Sequence, residues 1–217
     1  MKKNNHLGMT LLETLIAIAI FTIGITGFTQ LFVQSWQNNH FVFEMGQTSS
    51  AVSQGLTKIG DYIKRARQGD NGAYPIVLAN NNELTIYCDY NKTGGTERIH
   101  FYKEAYTENG NAFYRIKMGI RSPSSTIPKT YASGDESVET IVTNIMNDGN
   151  TPIFYYFDKS YAGASGQMPL SMPLNVSDVR LVKIYLKINI DPNRAPDNIE
   201  MQSFDEMRNL NDYDRIH

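Results

Sequence analysis

The chain opens with a long apolar run and then changes its periodicity twice. From Leu11 to Val33 the residues are mostly Leu, Ile, Ala, Phe and Val, with Thr the commonest polar type. As an α-helix these 23 residues extend about 34 Å, enough to cross a hydrocarbon core of about 30 Å. Helical spacing continues beyond the run. Met45, Val52, Leu56, Ile59, Ile63 and Ala66 follow one another at intervals of 7, 4, 3, 4 and 3, which is one apolar stripe. Gln47, Ser50, Gln54, Lys58, Asp61 and Lys64 fall on the opposite side. Lys64, Arg65 and Arg67 suit the negative end of a helix dipole, and Gly69 is the expected C′ residue. The pattern predicts one helix from Met9 to Arg67, about 88 Å long, apolar in its first half and amphipathic in its second.

From Ala73 the period shortens to two. Glu83–Tyr90 alternates, with Leu84, Ile86 and Cys88 on one side. Asn91–Gly95 reads as a turn, and Thr96–Lys103 and Ala112–Met118 read as further strands joined by Gly/Asn-rich connections. Arg121–Glu136 and Gly163–Pro173 have loop composition. Val138–Met146 fits a strand or a short helix, and Pro152–Phe157 fits a strand. Asp178–Ile190 is the clearest late strand, and Ile199–Met207 is placed to close the sheet. A long helix followed by antiparallel strands is an α+β arrangement.

Charge sharpens the picture of the first segment. The first 67 residues carry 6 Lys+Arg against 3 Asp+Glu, and the remainder 14 against 19. Between Glu13 and Glu44 there is no Asp, Glu, Lys or Arg. Lys2 and Lys3 precede the apolar run, which favours retention of the N-terminus in the cytoplasm. A secretory signal would have a shorter apolar core and a small-x-small cleavage site after it; neither is present. A plain membrane anchor accounts for the length and the flanks but not for Glu13. A carboxylate at the centre of an inserted helix costs about 2.5–3.5 kcal/mol, and less near an end. Glu13 therefore either snorkels to the headgroups or meets a compensating charge. Gly24 and Gly27 interrupt the same segment at about 1 kcal/mol each relative to Ala. They allow close helix–helix contact, mark a place where the helix loosens, or are simply tolerated.

Met1–Gly8 is a short basic leader ending in Gly. A hydrophobic residue, Thr, two Leu and Glu13 follow, then about twenty apolar residues. This combination resembles the prepilin processing signature of type IV pilin-like proteins. The resemblance implies cleavage between Gly8 and Met9 by a membrane prepilin peptidase and methylation of the new amine on Met9. It also implies a salt bridge in assembly between Glu13 of one subunit and the Met9 ammonium of a neighbour. Relatives usually carry Phe where this chain has Met9, a change that keeps a hydrophobic side chain. They often carry Pro where this chain has Gln30, so no sharp kink is expected there. The implied fold is pilin-like. Residues 1–8 form a leader, 9–34 a transmembrane and filament-core helix, 35–68 its amphipathic continuation, and 69–217 an extracytoplasmic antiparallel sheet domain with long loops. The later segments, with Phe154–Asp158, Val182–Leu186 and Met207–Leu210, resemble more loosely the J-type minor pseudopilins of type II secretion and related minor type IV pilins. The implied location is the bacterial inner membrane, single-pass, and then a pilus or pseudopilus. The implied partners are the peptidase, other pilin or pseudopilin subunits met through the N-terminal helix, and the membrane.

Composition and motifs bear on the remaining classes. A formal net charge of −2 gives no basic face for nucleic acid. Cys88 is the single cysteine, so no intramolecular disulfide forms; in a strand context it reads as a small buried apolar residue. His6, His40, His100 and His217 lack zinc spacing. Asp191, Asn193, Asp197 and Asn198 make an oxygen-rich loop that suits calcium or, equally, an ordinary Pro-rich turn. No catalytic triad context and no phosphate loop is found, and no cofactor is expected. The expected function is a structural subunit and not an enzyme. The alternative is a membrane-anchored extracytoplasmic binding module that shares the same processing.

Overall fold

The computed structural model describes residues 10–164, 166–194 and 197–211. The chain divides into two compact units, Met1–Gly46 and Gln47–His217. The first helix, α1 (Leu11–Lys64), contributes its N-terminal part to one unit and its C-terminal part to the other. It is α-helical throughout, including Gly24, Gly27 and Gln30.

In the second unit, the end of α1 packs on an antiparallel sheet of eight strands. These are β1 (Ile76–Asn80), β2 (Glu83–Cys88), β3 (Glu97–Glu108), β4 (Asn111–Arg121), β5 (Ser137–Ile145), β6 (Phe154–Phe157), β7 (Leu181–Ile188) and β8 (Ile199–Glu206). A short 3-10 turn, Val176–Asp178, and a terminal turn of helix, α2 (Arg208–Asn211), complete the order. The helical stripe Val52, Leu56, Ile59, Ile63 and Ala66 is buried in one cluster. Its sheet side includes Leu84, Ile86, Ile99, Phe101, Ile116, Met118, Val182, Ile184, Leu186 and Ile188. Full burial of each such aliphatic side chain contributes about 1.5–3 kcal/mol, which is why this half of the helix needs no strong intrinsic propensity.

Glycine lets the helix come close. A Cβ on Gly55 would stand 2.6 Å from Val142 Cγ2 and 2.8 Å from the Ile141 carbonyl oxygen. Charged residues at the edges of the stripe reach the sheet as well. Lys58 Nζ lies 2.6 Å from Glu139 Oε1, and Lys64 Nζ lies 3.0 Å from Asp205 Oδ1.

The helix ends earlier than its pattern predicts. It stops at Lys64, and neither Arg67 nor Gly69 belongs to its C-terminus. Ala66 forms an isolated bridge with Cys88, and the Arg67 N–H donates to the Tyr87 carbonyl at 2.9 Å. Pairing with the end of β2 has taken over backbone groups that another helical turn would use. The Arg67 guanidinium then binds the Gly94 and Gly95 carbonyls and Thr96 Oγ1, fixing the β2–β3 turn.

The sheet runs β1-β2-β3-β4-β5-β7-β6, with β8 also on β7. Ile188 pairs with both Ile145 and Ile199, and Ile184 with both Phe154 and Ser203. Strands β5 and β6 therefore share one edge of β7, and β8 takes the other. Asn147, fully buried, fills the gap between β5 and β6. Its Oδ1 accepts from the Lys187 N–H at 2.7 Å, and its Nδ2 donates to the Tyr185 and Pro152 carbonyls. One side chain thus stands in for a missing stretch of strand, with its donors and acceptor all used. The β1–β2 connection reaches β6: the Ile153 and Phe154 N–H groups donate to the Asn81 carbonyl, and the Tyr156 hydroxyl donates to Asn80. Val138–Met146, open between strand and helix in the sequence, is strand β5.

Candidate functional site at the helix start

Of the residues singled out by the motif, Glu13 is described, and Gly8 and Met9 lie outside the described residues. Glu13 sits in the first turn of α1, where its charge complements the positive end of the helix dipole. Thr10 immediately precedes that turn. Glu13 Oε2 accepts from the Thr10 backbone N–H at 3.3 Å and from Thr10 Oγ1 at 3.4 Å, and Thr10 Oγ1 accepts from the Glu13 N–H at 3.3 Å. This is a reciprocal capping box, built by a Thr-x-x-Glu spacing. The Thr-x-x-Glu spacing is itself a sequence signal for this cap, separate from the charge of Glu13. The structure gives the carboxylate a local task besides any partner it meets in an assembly.

The apolar helix that follows is open on every side. Leu11, Leu12, Ile18, Ile20, Phe21, Ile23, Phe28 and Leu31 are all exposed. Its hydroxyls are turned inward on their own backbone. Thr14 Oγ1 donates to the Leu11 carbonyl, Thr22 to Ile18, Thr26 to Thr22 and Thr29 to Ile25, each at 2.8 Å. Internal satisfaction of polar groups is what an apolar solvent demands of a helix, since no water is there to accept the protons. By length and composition this helix can cross a membrane. A Cβ at Gly24 or Gly27 would meet nothing within 4 Å, so neither glycine serves packing inside its own chain.

In the second unit, Cys88 is fully buried, and burial pushes its thiol up to about 12, far from a reactive thiolate. Asp191 is engaged inside its own loop: Oδ1 accepts from the Asn193 N–H at 3.1 Å, and the Asn189 side chain binds the Asp191 N–H and Asn198. Among the described residues, no group of three His, Cys, Asp or Glu side chains converges as a metal site. The fold does assemble a cluster that sequence spacing could not reveal. His100 lies between two carboxylates, with Nε2 2.8 Å from Glu83 Oε1 and Nδ1 3.1 Å from Asp135 Oδ2. Beside it, Arg98 and Arg121 both donate to the Gly134 carbonyl. The three side chains pin the loop of residues 122–136 to the outward face of β3 and β4. A second outward cluster spans β6, β7 and β8, where Tyr155, Lys183 and Phe204 stand abreast. The Lys183 ammonium lies 5.2–5.6 Å from the ring centres of Tyr155, Tyr185 and Phe204.

Residues 3–29 match the family model described as the prokaryotic N-terminal methylation motif. No curated protein and no solved structure matches the chain. The matched window contains Gly8, Met9, Thr10 and Glu13 and most of the exposed apolar helix. The chain therefore carries a prepilin-type N-terminus on a long helix whose C-terminal part packs on an antiparallel sheet, which is consistent with a type IV pilin-like protein. The motif supports processing by prepilin peptidase and association with a membrane, and it points to a structural subunit in preference to an enzyme.

Proposed function

We propose that this chain is a minor pilin or pseudopilin, cut between Gly8 and Met9, methylated on Met9, and assembled into or at the tip of a type IV pilus or type II secretion pseudopilus. In this reading residues 1–8 are a leader and 9–34 anchor the subunit in the bacterial inner membrane before packing in the filament core. Residues 35–68 continue the helix, and 69–217 form an extracytoplasmic domain. The loose resemblance of the late strands to J-type minor pseudopilins supports the choice of a minor subunit within this reading.

The observation that carries the reading is the solitary carboxylate. Glu13 is an acidic residue at the start of an apolar helix that bears no further Asp, Glu, Lys or Arg until Glu44. Its cost falls when an opposite charge is supplied, and cleavage after Gly8 creates one at Met9. Removing one partner from a buried pair costs about 3–5 kcal/mol, which makes the Glu13–ammonium contact between subunits a register-setting one. Mass spectrometry of the native protein tests the cut. The expected N-terminus is N-methylated Met9, and an intact Met1 in membrane-derived protein overturns the proposal.

A further inference from the structure

Beyond Val33 the exposed apolar helix changes character in an ordered way. Phe28, Phe32, Trp36, His40 and Glu44 are successive i, i+4 neighbours. Phe28, Phe32 and Trp36 are 72%, 61% and 62% exposed, and the side chains of His40 and Glu44 are 58% and 51% exposed. The Trp36 and His40 rings lie 5.9 Å apart, and His40 Nδ1 stands 3.4 Å from Glu44 Oε1. The ladder thus passes from pure hydrocarbon, through a ring with one N–H, to a titratable ring and then a carboxylate. Trp36 is the single tryptophan of the chain.

The spacing to the other end of the helix gives this gradient a scale. Trp36 lies 23 residues after Glu13, about 35 Å along a helix. The hydrocarbon core of a bilayer is about 30 Å thick, and its flanking interfacial layers bring the total to about 40–45 Å. With Glu13 at one hydrocarbon boundary, Trp36 reaches the other, and His40 and Glu44, about 6 and 12 Å further on, enter the headgroup layer and then water. Tryptophan is enriched at this depth because its ring is apolar while its N–H seeks an acceptor. Between the two ends, the hydroxyls of Thr14, Thr22, Thr26 and Thr29 are satisfied on their own backbone. The remaining polar side chains of that stretch, Gln30, Gln34 and Ser35, gather within about 9 Å of Trp36, toward the boundary it marks.

We infer that Trp36, with His40 and Glu44 behind it, is the second membrane anchor of the subunit: it docks at the lipid boundary of the extracytoplasmic leaflet and, with Glu13, sets the depth of the helix. This inference rests on the reading of α1 as a membrane anchor.

The test uses the full chain, reconstituted in vesicles of phosphatidylethanolamine and phosphatidylglycerol, with the emission of its own tryptophan. Vesicle flotation is measured on the same sample. The expected result is co-flotation and a blue-shifted emission. Lipid brominated near the ester end of the acyl chain should quench more strongly than lipid brominated near the methyl end, and aqueous acrylamide should quench weakly. Two variants supply the depth scale. Trp36→Phe combined with Phe28→Trp should be quenched best by the deep bromine, and Trp36→Phe combined with Glu44→Trp best by acrylamide. Co-flotation with Trp36 quenched like a water-exposed indole, or most strongly by the deep bromine, overturns the placement and leaves the anchor intact. Failure to float overturns both.

Discussion

Gly60 of the helix faces Asp205 of the sheet with no room between them: a Cβ on the glycine would stand 2.5 Å from Asp205 Oδ1. The carboxylate is almost wholly buried and does not lie there alone. Lys64, one turn beyond Gly60, approaches it at 3.0 Å, and Ser203 Oγ donates to it at 2.7 Å. An absent side chain and a lysine, four residues apart, thus define where the helix sits on the last strand pair.

Replacing either close-contact glycine should loosen this docking. Gly60→Ala and Gly55→Ala are expected to lower stability by about 1–3 kcal/mol, because the new methyl must displace a held carboxylate in one case and a strand carbonyl in the other. Gly24→Ala, which meets nothing within 4 Å, should be neutral or raise helix stability by up to about 1 kcal/mol. Denaturation of the detergent-solubilised chain, followed by near-ultraviolet circular dichroism, separates the two outcomes. Equal melting of all three variants would contradict the packing described.

The two tasks of Glu13, capping and charge, can be separated by substitution. Gln at this position still accepts from the Thr10 N–H but carries no charge, so Glu13→Gln keeps the cap. Glu13→Ala loses both, with a capping cost of about 1 kcal/mol. Both variants should be cut after Gly8, and both should be depleted from sheared filaments. Normal incorporation of Glu13→Gln, measured by quantitative mass spectrometry of the filament fraction, would leave capping as the whole role of the residue.

Cys88 should be inert in the folded chain. With its thiol raised to about 12 from an ordinary 8.5, the thiolate fraction near neutral pH falls by about 3 × 10³-fold, before any steric protection is counted. Alkylation at pH 8 should therefore track unfolding and not intrinsic thiol reactivity. The linkage has a definite sign. A folded-state pKa above the unfolded value favours the fold fully below about pH 8.5, and this contribution declines as the pH rises from there toward 12. Labelling rates in native buffer and in denaturant, and melting temperatures between pH 7 and pH 10, check both statements.

His100 should control the attachment of the loop of residues 122–136. His100→Ala removes the group that joins Asp135 of the loop to Glu83 of β2, while Arg98 and Arg121 keep their hold on Gly134. Hydrogen exchange across residues 122–136 is expected to quicken several-fold, with β3 and β4 unchanged, because few buried apolar contacts protect such a segment. Unaltered exchange in the loop would assign its order to the arginines and to the contact of Tyr131 with Tyr87.

The legible parts of this chain are those where one periodicity serves one buried face. The helical stripe from Val52 to Ile63 and the alternation of Val182, Ile184, Leu186 and Ile188 both appear in the core as spaced. Strand β1 escaped because a bulge between Ile76 and Leu78 breaks the period of two within five residues. Strand β3 runs on past Lys103 to Glu108, where no residue is buried and alternation has nothing to record. The early end of α1 was hidden for another reason: its competitor is strand pairing with Tyr87 and Cys88, more than twenty residues away. Buried Glu97, Asn147 and Asp205 read locally as surface residues, and only their partners account for their burial. At the N-terminus the charge of Glu13 was readable at once, whereas its Thr10 cap was visible only as a spacing.

That cap is assembled wholly from atoms downstream of Gly8. The proposed cut there would remove none of the capping groups and would create an ammonium at Met9. On the proposed reading, maturation would then be a change of charge beside a terminus that is already capped, and the contact of Glu13 with a neighbour's ammonium would require no rebuilding of that cap.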